Sequence, residues 1–258
     1  MGTPYRVGLY GKLPSHGDFL RRRVADDFVT AWDAWLQASV IASRDVLADR
    51  WTDVYLTSPA WRFACGAGAC GVAPVMGVMV PSVDRVGRHF PLTIVAELDI
   101  RPAGSMVTSV VEGARFFEEA ERLLVEMLAT EHVDFEAFDE RVGTLSEDLA
   151  AIRRSPGLVL DVGAEALLDE DESLGWHMSV GTVENLAEVF QQLLSQRLSS
   201  AYKPLGLWWT DGSTLVSPSC LVTSGLPRPE GFSALLDGTW TGGGWRSIPE
   251  GVEVSRGL

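Results

Sequence analysis

The stretch that decides the fold is VAPVMGVMVPSVDRVGRHFPLTIVAEL, residues 72–98. It holds two near-continuous apolar runs, Val72–Val80 and Pro91–Leu98, which are joined by the short, charged link PSVDRVGRHFP. Runs that lack polar alternation are typical of strands covered on both faces, and so short a link joins antiparallel neighbours. The sequence therefore predicts two adjacent antiparallel strands that are buried on both sides.

The rest of the chain adds helices and strands around this pair. Four apolar residues, Phe28, Trp32, Trp35 and Leu36, share one face of a predicted helix, so we expect them to be buried against the sheet. Elsewhere the patterns predict strands at 5–10, 61–65, 158–162, 173–180, 205–210 and 214–222, and helices at 27–47, 109–129, 134–152, 182–198 and 230–236. The elements do not alternate regularly. The predicted fold is thus α/β of the α+β type, with a mixed, largely antiparallel central sheet covered by helices on both faces.

The organisation of the chain points to one domain. Its 258 residues contain no internal repeat and no linker long enough to mark a boundary. A chain of this length buries a sizeable core without disulfides or metals. We therefore predict a single domain over residues 1–258, with a loose glycine-rich tail from about residue 242.

Charge and composition exclude several classes of protein. The net charge is −14; residues 1–100 carry ten basic and ten acidic side chains, and residues 101–258 carry eleven and twenty-five. Such an acidic chain is a poor nucleic-acid binder. No apolar run approaches the roughly 20 residues that span a bilayer, and no secretory signal pattern is visible. Cys65, Cys70 and Cys220 fit neither a disulfide framework nor a zinc site. We expect a cytoplasmic protein without cofactor, metal or membrane insertion.

Searches for catalytic motifs mostly fail. Gly8 and Gly11-Lys12 are too close together for a phosphate-binding loop, and no G-x-S-x-G nucleophile motif occurs. The four histidines are scattered without metal-ligand spacing. One enzymatic alternative stays open, a hydrolase that uses Ser82 or Ser15 as the nucleophile with His89 as the base.

Two loops are stronger candidates for a functional site than any of these catalytic motifs. GKLPSHGDF, residues 11–19, leaves the first predicted strand, and PSVDRVGRHFP, residues 81–91, joins two others. Both mix glycine and proline with charges of both signs. Either these charges pair with one another and fix the loops within the fold, or they form a binding surface on a rigid scaffold. The densest basic cluster of the chain, Arg21–Arg23, is the next candidate surface.

The same stretches resemble a known family. GKLPSHGDF and PSVDRVGRHFPL, together with FVTAWDAWLQASVIASR, YLTSPAWRFACGAGACG, PLGLWWTDGS and GLPRPEGFSALLDGTW, make the chain similar to the type VI secretion-associated protein TagF, also called ImpM. The resemblance extends to about Trp240, with little of the pattern in residues 105–180. One departure is His16, where an arginine is common in the family.

The resemblance implies a function that composition does not show. TagF-like proteins are cytoplasmic negative regulators of type VI secretion, act after translation, and are linked to the forkhead-associated scaffold protein Fha. The family has no established catalytic residues, so the resemblance implies no enzyme. On this interpretation we expect Fha as the partner and the loop charges and arginine run as the contact residues: Lys12, Asp18, Arg21, Arg22, Asp84, Arg85 and Arg88. We further hypothesise that the two loops pack side by side at one end of the sheet.

Overall fold

The structure is a computed structural model that describes residues 6–98, 106–130, 133–152, 194, 198 and 201–246. Its strands are β1 (Arg6–Gly11), β2 (Leu20–Arg22), β3 (Trp61–Cys65), β4 (Val75–Val80), β5 (Leu92–Glu97), β6 (Leu205–Thr210) and β7 (Ser219–Ser224). Its helices are α1 (Asp26–Leu47), α2 (Trp51–Leu56), α3 (Met106–Glu112), α4 (Ala114–Ala129), α5 (Phe135–Ile152) and α6 (Phe232–Asp237), with 3₁₀ turns at Ala48–Arg50 and Pro229–Gly231.

The strands form one sheet in the order β2-β1-β5-β4-β3-β6-β7. Every pairing between these strands is antiparallel. The strand β4 lies at the centre and pairs with β5 in the register Val78 opposite Ile94. All six residues of β4 are buried, because helices cover both faces of the sheet. The predicted fold class and the predicted central pair are therefore confirmed.

One face of the sheet carries an aliphatic core. Side chains such as Leu9, Val78 and Ile94 from the strands meet α4 and α5, whose buried positions include Phe117 and Leu124. The outer face of α4 is charged, and Arg122 pairs there with glutamates three and four residues away. This arrangement is the amphipathic pattern expected of a helix packed on a sheet.

The opposite face carries an aromatic core. Trp32 and Trp35 of α1 pack in this core with Phe63 and Trp208. The ring centroid of Trp32 lies 4.6 Å from that of Phe63 and 6.0 Å from that of Trp208. Trp35 also donates from its indole nitrogen to Pro227 O at 2.7 Å. All four apolar residues predicted on this helix face are buried, as expected. Glycine at position 77 makes room for this layer, because a Cβ there would lie 2.8 Å from the Phe63 ring.

The tryptophan pair of β6 shows that both faces are covered. Trp208 is fully buried in the aromatic core, whereas Trp209 points the other way and contacts Phe117 edge-on at 4.7 Å. Alternation along a strand requires these opposite directions.

Several element boundaries differ from the sequence prediction. The helix expected at 109–129 is two helices separated at Gly113, a residue with low helix propensity. The strand expected at 214–222 begins at Ser219 instead of Thr214, because Val216 folds into the core and its carbonyl accepts from Ser213 N at 2.7 Å. The helix α2 and the short strand β2 were not predicted.

The start of α1 is held by contacts with a neighbouring loop. Its N-cap residue is Ala25, and no side chain caps it. Asp27 instead accepts from Phe28 N at 2.9 Å and from Val72 N at 2.7 Å, so it ties the helix to the loop between β3 and β4. These two backbone hydrogen bonds lower the pKa of Asp27.

The predicted elements between residues 153 and 200 lie outside the described residues, apart from Leu194 and Leu198, which are helical. The described part of the glycine-rich tail is packed as far as Trp245, whose indole donates to Gly231 O at 2.9 Å. A single domain over the whole chain stays a prediction.

Candidate functional site

The two loops singled out by the sequence meet at one end of the sheet. The first loop (residues 12–19) follows β1, and the second loop (residues 81–91) enters β5, which pairs with β1. Arg85 N donates to His16 O at 3.0 Å, and Arg88 Nη2 donates to Gly17 O at 2.6 Å. The loops therefore lie side by side, in the arrangement hypothesised from the sequence.

A buried carboxylate ties the two loops together. Asp84 Oδ2 accepts from Lys12 Nζ at 2.9 Å and from Arg88 Nε at 2.6 Å. Asp84 Oδ1 accepts from the backbone N–H groups of Val86 at 3.0 Å and Arg88 at 2.8 Å. The Asp84 side chain has no solvent exposure, and that of Lys12 is 7% exposed. We call Lys12, Asp84 and Arg88 the charge knot.

The charge knot also sets the protonation of its carboxylate. Burial alone would raise the pKa of Asp84, since it disfavours the charged form. The hydrogen bonds from Lys12, from Arg88 and from the loop backbone outweigh burial, and the pKa of Asp84 lies well below its usual value. Asp84 is therefore ionised at neutral pH, and its charge is matched inside the protein.

Below the charge knot, Ser82 and Tyr55 anchor the loops to the helical layer. The Ser82 hydroxyl donates to Lys12 O at 2.7 Å, and Tyr55 of α2 donates to Ser82 O at 3.0 Å. Burial raises the pKa of the Tyr55 hydroxyl, so it remains a proton donor. The second loop is thus fixed both to the first loop and to α2, a helix that sequence analysis did not find.

The arrangement does not assemble the hydrolase considered from the sequence. Ser82 is buried and its hydroxyl donates to a backbone carbonyl, and no hydrogen bond links it to His89 among the described residues. His89 lies edge-on to Trp51 and Tyr55, with ring centroids 4.9 and 5.3 Å apart. Burial and the nearby Arg44 lower the pKa of His89. Ser15 Oγ lies 2.9 Å from Nδ1 of the neighbouring His16, and no hydrogen bond among the described residues links it to His89.

Aromatic rings support the first loop from the sheet side. Phe19 stacks on Tyr10 at 5.7 Å and meets Phe90 edge-on at 4.8 Å. Lys12 Nζ lies 4.9 Å from the centroid of the Phe19 ring, which adds a cation–π contact to the buried ammonium. Phe19 nevertheless remains 44% exposed, so it belongs to both the support and the surface.

Above the charge knot, the tip of the second loop faces solvent. Arg85 is exposed, and its side chain has no acidic partner among the described residues. Val86 beside it is 68% exposed, and Gly87 turns the chain with a φ of 80°. Arg88 is paired with Asp84, but its side chain is 61% exposed. Asp18, which follows Gly17 in the first loop, is also exposed. Sequence analysis missed Val86 and Phe19, whose apolar character gave no signal of exposure.

The arginine run Arg21–Arg23 is placed differently. Arg23 forms two hydrogen bonds to the Asp139 carboxylate, at 2.6 and 2.8 Å, and donates to Val7 O at 2.9 Å. Arg21 pairs with Asp26, and Arg22 lies over the Phe135 ring at 4.8 Å with Glu136 3.7 Å away. The run therefore joins β2 to α1 and α5.

The described residues hold no cluster of three histidine, cysteine, aspartate or glutamate side chains suited to a metal ion. Within the same residues, no helix is both long and apolar enough to cross a membrane. Cys65 and Cys70 are buried free thiols, and Cys220 is an exposed one.

Comparison with known proteins gives the chain its family. The family described as "TagF N-terminal domain, Type VI secretion system-associated" matches residues 8–145, which include both loops and the arginine run. No curated protein matches the chain. Among solved structures, the crystal structure of PA0076 from Pseudomonas aeruginosa PAO1 is similar, with a TM-score of 0.69 and 33% identity over 94% of this chain and 97% of that one. The chain belongs to the TagF family of type VI secretion system-associated proteins.

Proposed function

We propose that this chain is a post-translational negative regulator of a type VI secretion system, which acts in the cytoplasm by binding the scaffold protein Fha. Membership of the TagF family supports a partner among the components of that system. The observation that carries the proposal is the exposed loop tip at Arg85 and Val86, which a buried charge knot holds in place. Such a surface suits binding and offers no catalytic constellation.

The rigidity of the tip favours recognition. A loop that is already ordered loses less conformational freedom when it binds than a floppy one does. The second loop is fixed by Asp84, by Ser82 and by its hydrogen bonds to the first loop. Its tip therefore presents Arg85 and Val86 in one geometry.

The chemistry of the tip indicates what it contacts. Arg85 offers a planar fork that binds a carboxylate in two places, and Val86 offers an apolar contact next to it. A partner surface that places an acidic side chain beside an apolar one would match both. We assign direct contact to Arg85, Arg88 and Asp18, which are exposed.

The other predicted contact residues have supporting roles in this proposal. Lys12 and Asp84 are buried in the charge knot and hold the tip from below. Arg21 and Arg22 are exposed but paired, and they lie on the edge strand that follows the first loop. They flank the contact surface and contribute less to it than Arg85 does.

The function is tested in a bacterium that carries an active type VI system and Fha. Raising the amount of this chain should reduce type VI secretion into the medium while the cellular amounts of the secretion proteins stay unchanged. Affinity-tagged chain from the same cells should capture Fha. Unchanged secretion would contradict the regulatory role, and failure to capture Fha would contradict the proposed partner.

A further inference from the structure

A groove opens along the β7 edge of the sheet, far from the two loops. The strand register places Ser224 of β7 at the same end as Arg6 of β1, whereas both loops leave the other end. The groove has a volume of about 810 Å³, and its lining includes Tyr202, Ser224, Arg228, Gly244, Trp245 and Arg246. We call it the edge groove.

The wall of the edge groove is preformed. Trp245 donates its indole N–H to Gly231 O at 2.9 Å and meets Trp240 edge-on at 5.3 Å. The backbone of Gly243 fits tightly against this wall, since a Cβ there would lie 2.5 Å from Gly231 Cα, and its φ is 58°. Glycine is therefore required where the tail folds back, and the indole is held in one position.

Two arginines line the edge groove. Arg228 and Arg246 are exposed, and neither forms an ion pair with another described residue. Arg228 lies along the backbone of Gly244, where an added Cβ would be 3.7 Å from its Nη1 atom. The whole chain has 35 acidic and 21 basic residues, so carboxylates are abundant. Two arginines in one groove that are paired with no described carboxylate therefore favour an anionic ligand.

The edge of β7 supplies backbone groups beside these arginines. The strand pairs with β6 on one side, and no described strand pairs with it on the other. Its end is fixed, because Gly225 N donates to Pro204 O at 2.6 Å and Ser224 donates to Lys203 O at 3.0 Å. An ordered strand edge binds an extended segment by adding it to the sheet.

We infer that the edge groove binds an extended, acidic segment of a partner protein. The segment pairs its backbone with β7, places carboxylates at Arg228 and Arg246, and inserts an apolar or aromatic side chain between Tyr202 and Trp245. Charge complementarity decides between acidic and basic segments, and an edge that pairs with no described strand favours a peptide over a compact small molecule. This site is separate from the loop tip proposed for Fha.

The test uses the full chain and a fluorescein-labelled peptide of sequence GEVEYEVG, with fluorescence anisotropy as the readout. The acidic peptide should bind, and a version with lysine in place of each glutamate should not. A version N-methylated at alternate residues should bind at least about tenfold more weakly, because it cannot pair with a strand. Equal binding of all three peptides, or no binding of the acidic one, would overturn the inference.

Variants of the chain locate the binding. Arg228→Glu and Arg246→Glu should each weaken binding of GEVEYEVG by about tenfold or more, because a charge-assisted contact becomes a repulsion. Arg50→Glu, at an exposed position of the 3₁₀ turn after α1, makes the same charge change away from the groove and should leave binding unchanged. If the groove variants instead melt at lower temperature and the wild type binds no peptide, the chain itself needs these arginines, and the inference is wrong.

Discussion

The arginine run Arg21–Arg23 and the tip of the second loop carry the same kind of charge in different surroundings. Each arginine of the run has a carboxylate partner: Asp26, Glu136 or Asp139. At the tip, Arg88 is paired with the buried Asp84, and Arg85 next to it has no acidic partner among the described residues. The denser basic cluster is therefore the more neutralised one.

This difference shows how a free cation arises on an acidic protein. The arginine run lies on an edge strand that two helices approach, and those helices bring acidic residues within reach. The tip projects beyond its own buried carboxylate, and of its two arginine side chains it is that of Arg88 which hydrogen-bonds to Asp84. A free arginine is thus produced by the path of the loop, and local charge density does not predict it.

The largest expected effect comes from removing the carboxylate of the charge knot. Asp84→Asn leaves the buried Lys12 ammonium without a counter-charge and releases Arg88, so the variant should show the largest fall in melting temperature of this set. Thermal denaturation followed by circular dichroism measures it. Asp18→Asn makes the same change at an exposed position of the first loop and should melt like the wild type. Equal melting of the wild type and Asp84→Asn would show that the knot does not hold the loops.

The acid sensitivity of folding should follow the same carboxylate. The pKa of Asp84 is lowered in the folded state, so between that value and the unfolded value of about 4 the unfolded chain binds more protons. The stability that Asp84 contributes is therefore fully present above the unfolded pKa and is lost as the pH falls. Urea unfolding at several pH values should show the difference between the wild type and Asp84→Asn shrinking as the pH falls below about 4. A difference that is independent of pH would contradict this assignment.

A smaller effect is expected at the arginine run. Arg23→Ala removes two hydrogen bonds to the Asp139 carboxylate, whose side chain is 13% exposed, and a third to Asp139 O, and should cost about 1–3 kcal/mol of unfolding free energy. Arg22→Ala is the matched control, because its pair with Glu136 is long and exposed and should contribute less than about 1 kcal/mol. Urea denaturation of both variants measures these two losses of unfolding free energy. Equal losses of unfolding free energy in the two variants would mean that Arg23 does not stabilise the fold more than Arg22 does.

Much of the fold could be predicted because it depends on local patterns. The apolar runs of β4 and β5 carried no polar alternation, and the aromatic stripe of α1 followed helical spacing, so both the central pair and the buried face were confirmed. The predicted start of the strand at 214–222 was wrong because Val216, which lies before the strand that the structure shows, folds into the core. The sequence carries no local signal for that packing.

The candidate site was predictable only in part. The glycine-punctuated loops and their mixed charges pointed to the right end of the sheet. Which charge is buried and which is exposed depends on contacts between distant residues, such as Lys12 with Asp84 and Arg62 with Glu121. Spacing along the chain therefore could not separate Asp84, a buried anchor, from Arg85, its exposed neighbour.

The measurement that tests the account most directly is the affinity of Arg85→Glu for purified Fha, by isothermal titration calorimetry, together with its melting temperature. Arg85 is exposed and unpaired in the described structure, so its reversal should leave the melting temperature unchanged and weaken Fha binding by about 1–3 kcal/mol, as expected for one lost charge-assisted contact. Arg6→Glu makes the same charge change at the exposed start of β1, at the other end of the strand, and should alter neither quantity. Unchanged Fha affinity in Arg85→Glu, or a lowered melting temperature that accounts for its weaker binding, would contradict the account.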